Sequence, residues 1–361
     1  MDRVDRVDRV DRVDRLDRVD RLDRVGRPAA YGAALMMTPY ALIKISWVVG
    51  SAAGLLPIGD GFDLTGWVVL NTVTIGMAAI GIAVALALVR PWGMRIPGPL
   101  VAFVAWVGTG FLVPLLPYAV LDPLLGLSGD AAQRHEDSGP AMPGWEAALI
   151  QISFVGMGLG LALALPAYLR RRWPEVFEGR VGDDGGRGRR PALWAAAVAA
   201  VIGAVWVYWA LGGTAGVARP AHQEAGGRLL TGVWGLWALV ASAATWMLSR
   251  GRPARLPRWV PLSLGWLGTG SLFAWSGWRL PITLYVALAR PADVSLPENL
   301  AFVAVLQAAA VAAGAAMLPV LVRSRGIPTA RDAAKASARP PGFRPFRGQV
   351  PYGTSELRRQ R

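Results

Sequence analysis

The chain has 361 residues, of which 53% are hydrophobic, with a mean hydropathy of +0.38 and 16 tryptophans. A single soluble core of this size cannot bury so much apolar surface, so composition excludes an ordinary soluble fold and predicts a membrane one. The absence of cysteine excludes disulfides, thiolate metal sites and iron–sulfur clusters, and the formal charge of +14 has meaning only through where the bases lie.

Residues 2 to 25 are eight copies of Asp-Arg-Val or Asp-Arg-Leu, neutral as a segment. In a helix each Asp would stand four residues before an Arg, the favourable order, but a three-residue repeat drifts around a helix of 3.6 residues per turn and builds no single apolar face. Residues 1–30 are therefore expected to form a solvated tail, disordered or partly helical. Apolar runs of about 20 residues, the length that spans a bilayer core, then follow at 33–56, 67–89, 99–121, 146–169, 191–211, 229–249, 259–278 and 299–322. Eight spans put both termini on one side of the membrane. The connections 90–98, 170–190 and 250–258 and the tail from 323 hold 23 Lys and Arg, against five in 57–66, 122–145, 212–228 and 279–298. The positive-inside rule then predicts cytoplasmic termini.

The eight spans divide into two units of four. Lys44 to Leu55 (KISWVVGSAAGL) and Trp206 to Val217 (WVYWALGGTAGV) align 162 residues apart, with Trp47 over Trp209, Gly50 over Gly212 and Gly54 over Gly216. Trp106 to Gly110 (WVGTG) returns as Trp266 to Gly270 (WLGTG), and Pro166 to Arg172 returns as Pro319 to Arg325. A fixed-period echo of this kind marks a duplicated unit. The expected fold is thus all-α, a polytopic helix bundle with repeats at 31–175 and 191–325, a cytoplasmic linker at 176–190 and a basic tail at 326–361. An even number of spans per unit makes the repeats parallel rather than inverted. The pairs Gly50/Gly54, Gly212/Gly216 and Gly156/Gly160 have small-xxx-small spacing, which predicts close helix packing, with Trp47, Trp209 and Gly213 in the same motif.

The stretch YWALGGTAG closing an apolar span, followed by three more spans with WLGTG in the third, resembles a family of small four-span bacterial membrane proteins of unknown function. The likeness covers 191–325, with 31–172 as a diverged copy that has Ser51 for Gly213 and Ala52 for Thr214. It implies a bacterial cytoplasmic membrane location and brings no catalytic residues.

Among candidate site residues Lys44 is the sharpest, because it falls within the first span, where a charge costs roughly 2.5–3.5 kcal/mol on insertion scales. Asn71, Gln151 and Gln307 are possible hydrogen-bond partners, and Glu146 and Glu298 are the carboxylates nearest in depth. Both histidines, His135 and His222, fall in outer loops, so no haem or metal cofactor is expected, and Asp130, Glu136 and Asp137 sit in a Gly/Ser/Pro-rich loop. The tail from 323 carries ten bases against Asp332 and Glu356. It is expected to be disordered and drawn to anionic lipid headgroups, and with no stacking platform beside it no nucleic-acid partner is expected.

Function is open between three classes. The first is a non-enzymatic protein that binds lipid or a small molecule, or has an accessory role. The second is a transporter with a cavity between the halves lined by Lys44, Asn71 and Gln307. The third is a lipid-modifying enzyme using Glu146 or Glu298 at the outer face.

Overall fold

The computed structural model describes residues 3–59, 63–126, 144–173, 179–184, 190–219, 224–289 and 298–322, with side chains from Arg24 onward. All regular structure among them is helical, relieved by two isolated bridges, Arg180 with Pro257 and Val217 with Glu298. Helix α1 (Arg3–Ala52) carries the Asp-Arg-Val tract and the first apolar run in one rod. It stops where Gly54 takes a positive φ of 71°, a conformation that favours glycine. Helix α2 (Leu64–Ala87) starts at Asp63, whose carboxylate accepts from the Gly66 N–H at 3.1 Å, satisfying a donor the helix itself leaves open. Helices α3 (Gly98–Leu112) and α4 (Leu116–Leu124) are one rod interrupted by a 3₁₀ turn at Val113–Leu115 that contains Pro114, which has no N–H to continue the helical ladder. Helix α5 (Gly144–Arg172) completes the first half.

The second half comprises α6 (Arg190–Ala210), α7 (Ala225–Arg250), α8 (Trp259–Ala289) and α9 (Leu300–Val322). Gly251, at φ 65°, ends α7 in the left-handed cap that only glycine adopts without strain.

Among the described residues seven helical segments are long and apolar enough to cross a membrane, with mean hydropathies from 1.4 to 2.1. Large side chains such as Leu35, Leu42, Ile80, Leu163, Val201 and Val305 are at least half exposed, whereas alanine is the commonest residue of the interior, with glycine at the closest approaches. A soluble monomer does not present so much contiguous apolar surface to water, and small interior residues are how helices approach one another in lipid. This is a multi-pass integral membrane protein. The eighth long helix, α8, is the one that falls short in hydropathy, and its surroundings explain why: α3, α7 and α9 flank it, and Gly265, Thr269, Ser271, Ser276 and Thr283 are buried within it. It faces protein on most sides and needs little surface that dissolves in hydrocarbon. It also runs to Ala289, eleven residues past the boundary at 278 expected from sequence, and so takes Arg279 into the helix.

Glycines set the seams. A Cβ at Gly160 would lie 2.5 Å from that of Ala33, one at Gly156 2.6 Å from Met36, and one at Gly26 2.7 Å from that of Ala167. These pairings run in opposite directions along α1 and α5, so the two are antiparallel, and the Gly156/Gly160 pair serves the close approach its spacing predicts. In the second half Gly203 of α6 and Gly235 of α7 face each other, each hypothetical Cβ 2.9 Å from the other's carbonyl oxygen. Asp122, near the end of α4, lies against Gly226 in the first turn of α7, so α3–α4 runs opposite to α7 and hence in the same sense as α8.

Helices α3 and α8 join the two halves. Trp106 Nε1 donates to Thr269 Oγ1 at 3.1 Å, and Trp266 Nε1 donates to Thr109 Oγ1 at 3.2 Å, so the two WxGTG elements bond reciprocally. Gly110 touches Gly270 so closely that a Cβ on Gly110 would collide with the Gly270 backbone. Gly110→Ala is therefore expected to lower stability by about 1–3 kcal/mol through overpacking. Gly108→Ala, with no atom within 4 Å of its added methyl, should be neutral or slightly stabilising. Reversible unfolding in mixed micelles checks both, and equal effects at the two positions would refute the tight crossing.

Candidate functional site

Two clusters of polar side chains lie where helices end, one in each half. In the first, Lys44 on α1 donates to Asn71 Oδ1 on α2 at 3.0 Å, and its ammonium stands 3.9 Å from the centre of the Trp47 ring and 5.8 Å from that of Tyr40. Trp47 stacks on Trp67 at 5.7 Å, and Asn71 Nδ2 donates to the Trp67 carbonyl at 2.9 Å. Glu146, at the start of α5, acts on Lys44 through charge. Lys44 is half-buried, and the cluster satisfies it within the protein: an amide oxygen, two aromatic faces and an acid replace the water that a cation loses inside a membrane.

The second cluster was not legible from the sequence as a site. The C-terminal end of α6, the start of α7, the later turns of α8 and the start of α9 enclose a cavity walled by Trp206, Trp209, Trp234 and Trp275. Ser276, Arg279, Glu298 and Gln307 supply its polar groups, and about 20 Å³ inside is open to the centre of a water molecule, room for about one. Arg279 lies 5.1 Å from the Trp234 ring centre and 3.9 Å from Glu298 Oε1. Ser276 and Gln307 are 2% and 3% exposed, yet Ser276 Oγ, Gln307 Oε1 and Trp234 Nε1 have no hydrogen-bond partner. Leaving a buried polar atom unpaired costs about 1–3 kcal/mol. Three such atoms around one cavity mark a place prepared for something with donors and acceptors.

Of the tryptophan–glycine motif only Trp209 lines this cavity, and most of the glycines expected to pack helices lie at turns instead. Gly212 and Gly213 lie beyond the end of α6, and Gly212, Gly216 and Gly54 have φ of 94°, 81° and 71°. They turn the chain, and Gly216 alone of the three also lies close to a neighbouring helix, against Phe302 of α9. Gly213 lies against the ring of Tyr208 in its own segment, and Gly50 faces Leu56, likewise in its own segment. Trp209 Nε1 donates to the Ala215 carbonyl at 2.7 Å, holding the loop down, and the Asn299 N–H donates to the Gly216 carbonyl at 3.1 Å. The bridge between Val217 and Glu298 follows, so the loop fixes the residue that meets Arg279.

The remaining candidates separate. Asn71 is committed to Lys44, Gln307 lines the second cavity, and Gln151 is exposed on α5. Lys44 and Asn71 are not among the residues that line the cavity Gln307 lines. Ser153 Oγ is used by the Leu149 carbonyl at 2.8 Å. Glu298 meets a guanidinium, whereas Glu146 acts on Lys44 only through charge at a distance. His135, His222, Asp130, Glu136, Asp137 and the tail from 323 lie outside the described residues. Among the described residues no three His, Asp or Glu side chains converge as a metal site would need.

Arg279 had a detectable signal: the run Leu284 to Ala289 stays apolar after it, so the helix had reason to continue. The orphaned atoms had none, because hydrogen-bond satisfaction depends on neighbours.

Asn71→Leu is expected to cost about 1–3 kcal/mol by stranding the Lys44 ammonium, whereas Lys44→Met combined with Asn71→Leu should return close to the parent, since removing both partners is nearly neutral. Thermal unfolding in detergent distinguishes these, and an additive loss in the double variant would refute the pairing. No model of a known protein family matches the chain, and no curated protein or solved structure does either.

Proposed function

We propose that this is an eight-span protein of a bacterial cytoplasmic membrane, built as two parallel four-span units with both termini inside, that holds the polar end of a small amphiphile at the mouth of the tryptophan-walled cavity of its second unit. Its role is binding or accessory rather than catalytic. The observation that carries the ligand site is the set of three unpartnered polar atoms, on Trp234, Ser276 and Gln307, around one cavity. A water answers part of that demand. The aromatic walls and the ion pair at the mouth favour a ligand with both apolar and polar parts.

The duplication is supported by the sequence echoes and by the reciprocal Trp–Thr bonds between equivalent elements. The common direction of α3–α4 and α8 supports parallel units. Kinship with the small four-span bacterial membrane proteins rests on the YWALGGTAG stretch and the WLGTG element two spans later. The orientation rests on the distribution of bases, with the basic tail at 326–361 held near anionic lipid.

The chain contains no cysteine, so single introduced thiols report topology without background. Thr214→Cys should react with a membrane-impermeant maleimide in intact cells, and Ala254→Cys only after lysis; the reverse pattern would overturn the orientation. For the ligand, the protein is purified gently and weighed by native mass spectrometry beside Gln307→Leu and Lys44→Ala. A bound species lost in the first variant and kept in the second supports the cavity. Bulk lipid alone in all three would leave only a structural role.

A further inference from the structure

We infer that the cavity mouth recognises a zwitterionic headgroup, its acidic group set against Arg279 and its ammonium against Glu298; this rests on the cavity being a ligand site. The first observation is the spacing of the two charges. Arg279 and Glu298 stand 3.9 Å apart, about an ångström longer than the 2.7–2.9 Å of a charge-assisted hydrogen bond. They face each other without closing, and each keeps capacity for another partner. The Arg279 side chain is 34% exposed and that of Glu298 13%, so the pair sits at the mouth while Ser276 and Gln307 lie inside.

The second observation is how the unmet groups sort. On the Arg279 side Trp234 Nε1–H is a donor without an acceptor, and the same indole carries the guanidinium over its face. An indole N–H can only donate, so that side asks for an oxygen, best a charged one. The Glu298 carboxylate and the rings of Trp206 and Trp209 line the same cavity. An acid with aromatic faces is the environment that attracts an ammonium.

A simple anion entering this mouth meets Glu298, and a simple cation meets Arg279. A zwitterion meets an opposite charge at both ends. The interior admits about one water-sized group, so a single acid oxygen enters, toward the donors Ser276 Oγ and Trp234 Nε1, while the rest stays at the mouth. The same chemistry is offered by a zwitterionic lipid headgroup and by a free amino acid or betaine.

The test uses the full chain, delipidated in detergent and titrated by native mass spectrometry. The probes are dioctanoyl phosphatidylethanolamine, dioctanoyl phosphatidylglycerol and soluble glycerophosphoethanolamine, with parent, Glu298→Gln and Gln307→Leu proteins. The parent should bind the ethanolamine lipid about tenfold tighter than the glycerol lipid, a difference of about 1.4 kcal/mol. Glu298→Gln, which keeps the backbone bridge to Val217, should lose or reverse that preference because Arg279 is left uncompensated. Equal binding of the two lipids by the parent, or an unchanged preference in Glu298→Gln, would overturn the zwitterion assignment while leaving a ligand site standing. Binding of neither lipid above the level seen in Gln307→Leu would overturn the site itself, and the assignment with it. Soluble glycerophosphoethanolamine binding as tightly as the lipid supports the chemistry and assigns a free zwitterion; binding of the lipid alone supports it and assigns the membrane as the source.

Discussion

The contact on which the rest depends is the crossing of α3 and α8, where Gly110 meets Gly270 and two tryptophans donate to two threonines in exchange. In hydrocarbon an unpaired indole N–H costs several kcal/mol, and helices gain little from hiding apolar surface that lipid already solvates. Association must come from close packing and satisfied polar groups, and this crossing supplies both. It also fixes α8 at the centre, with α7 and α9 on its other sides. Trp275, one turn beyond, donates to the Phe111 carbonyl at 3.1 Å and so ties a wall of the cavity to the first half.

The two halves handle a cation on a long apolar helix differently. In the first, Lys44 reaches its own amide and two aromatic faces, and the cluster is closed. In the second, Trp206 stands at the position aligned with Lys44 and the cation comes from α8 instead, as Arg279. Glu146 and Glu298 occupy like places, at the starts of α5 and α9. The same elements of cation, acid and indole are therefore reached by different helices. In the second half they leave a space between them, with three buried polar atoms unpaired.

Gly212 and Gly216 adopt φ values that a side chain resists, and Trp209 holds the loop they form against Ala215. That loop orients Glu298 through the Gly216 carbonyl and the Val217 bridge. A motif that repeats at helical spacing thus serves a turn, because φ and not spacing alone decides what a glycine does.

The sequence by itself determined the class of protein, the long apolar helices and the close approach at Gly156 and Gly160, because apolar run length and small-residue spacing are local properties of the chain. It also singled out Lys44, whose cost in hydrocarbon is independent of its neighbours. The reach of α8 past residue 278 was half legible, in the apolar run after Arg279. Only the tertiary structure decided that Asn71 belongs to Lys44 while Gln307 belongs elsewhere, and that Gln151 faces outward. It alone placed Ser276, Trp234 and Gln307 around one space. Whether a buried amide or indole finds a partner depends on side chains that four helices bring from distant parts of the chain, and no spacing within one helix encodes that.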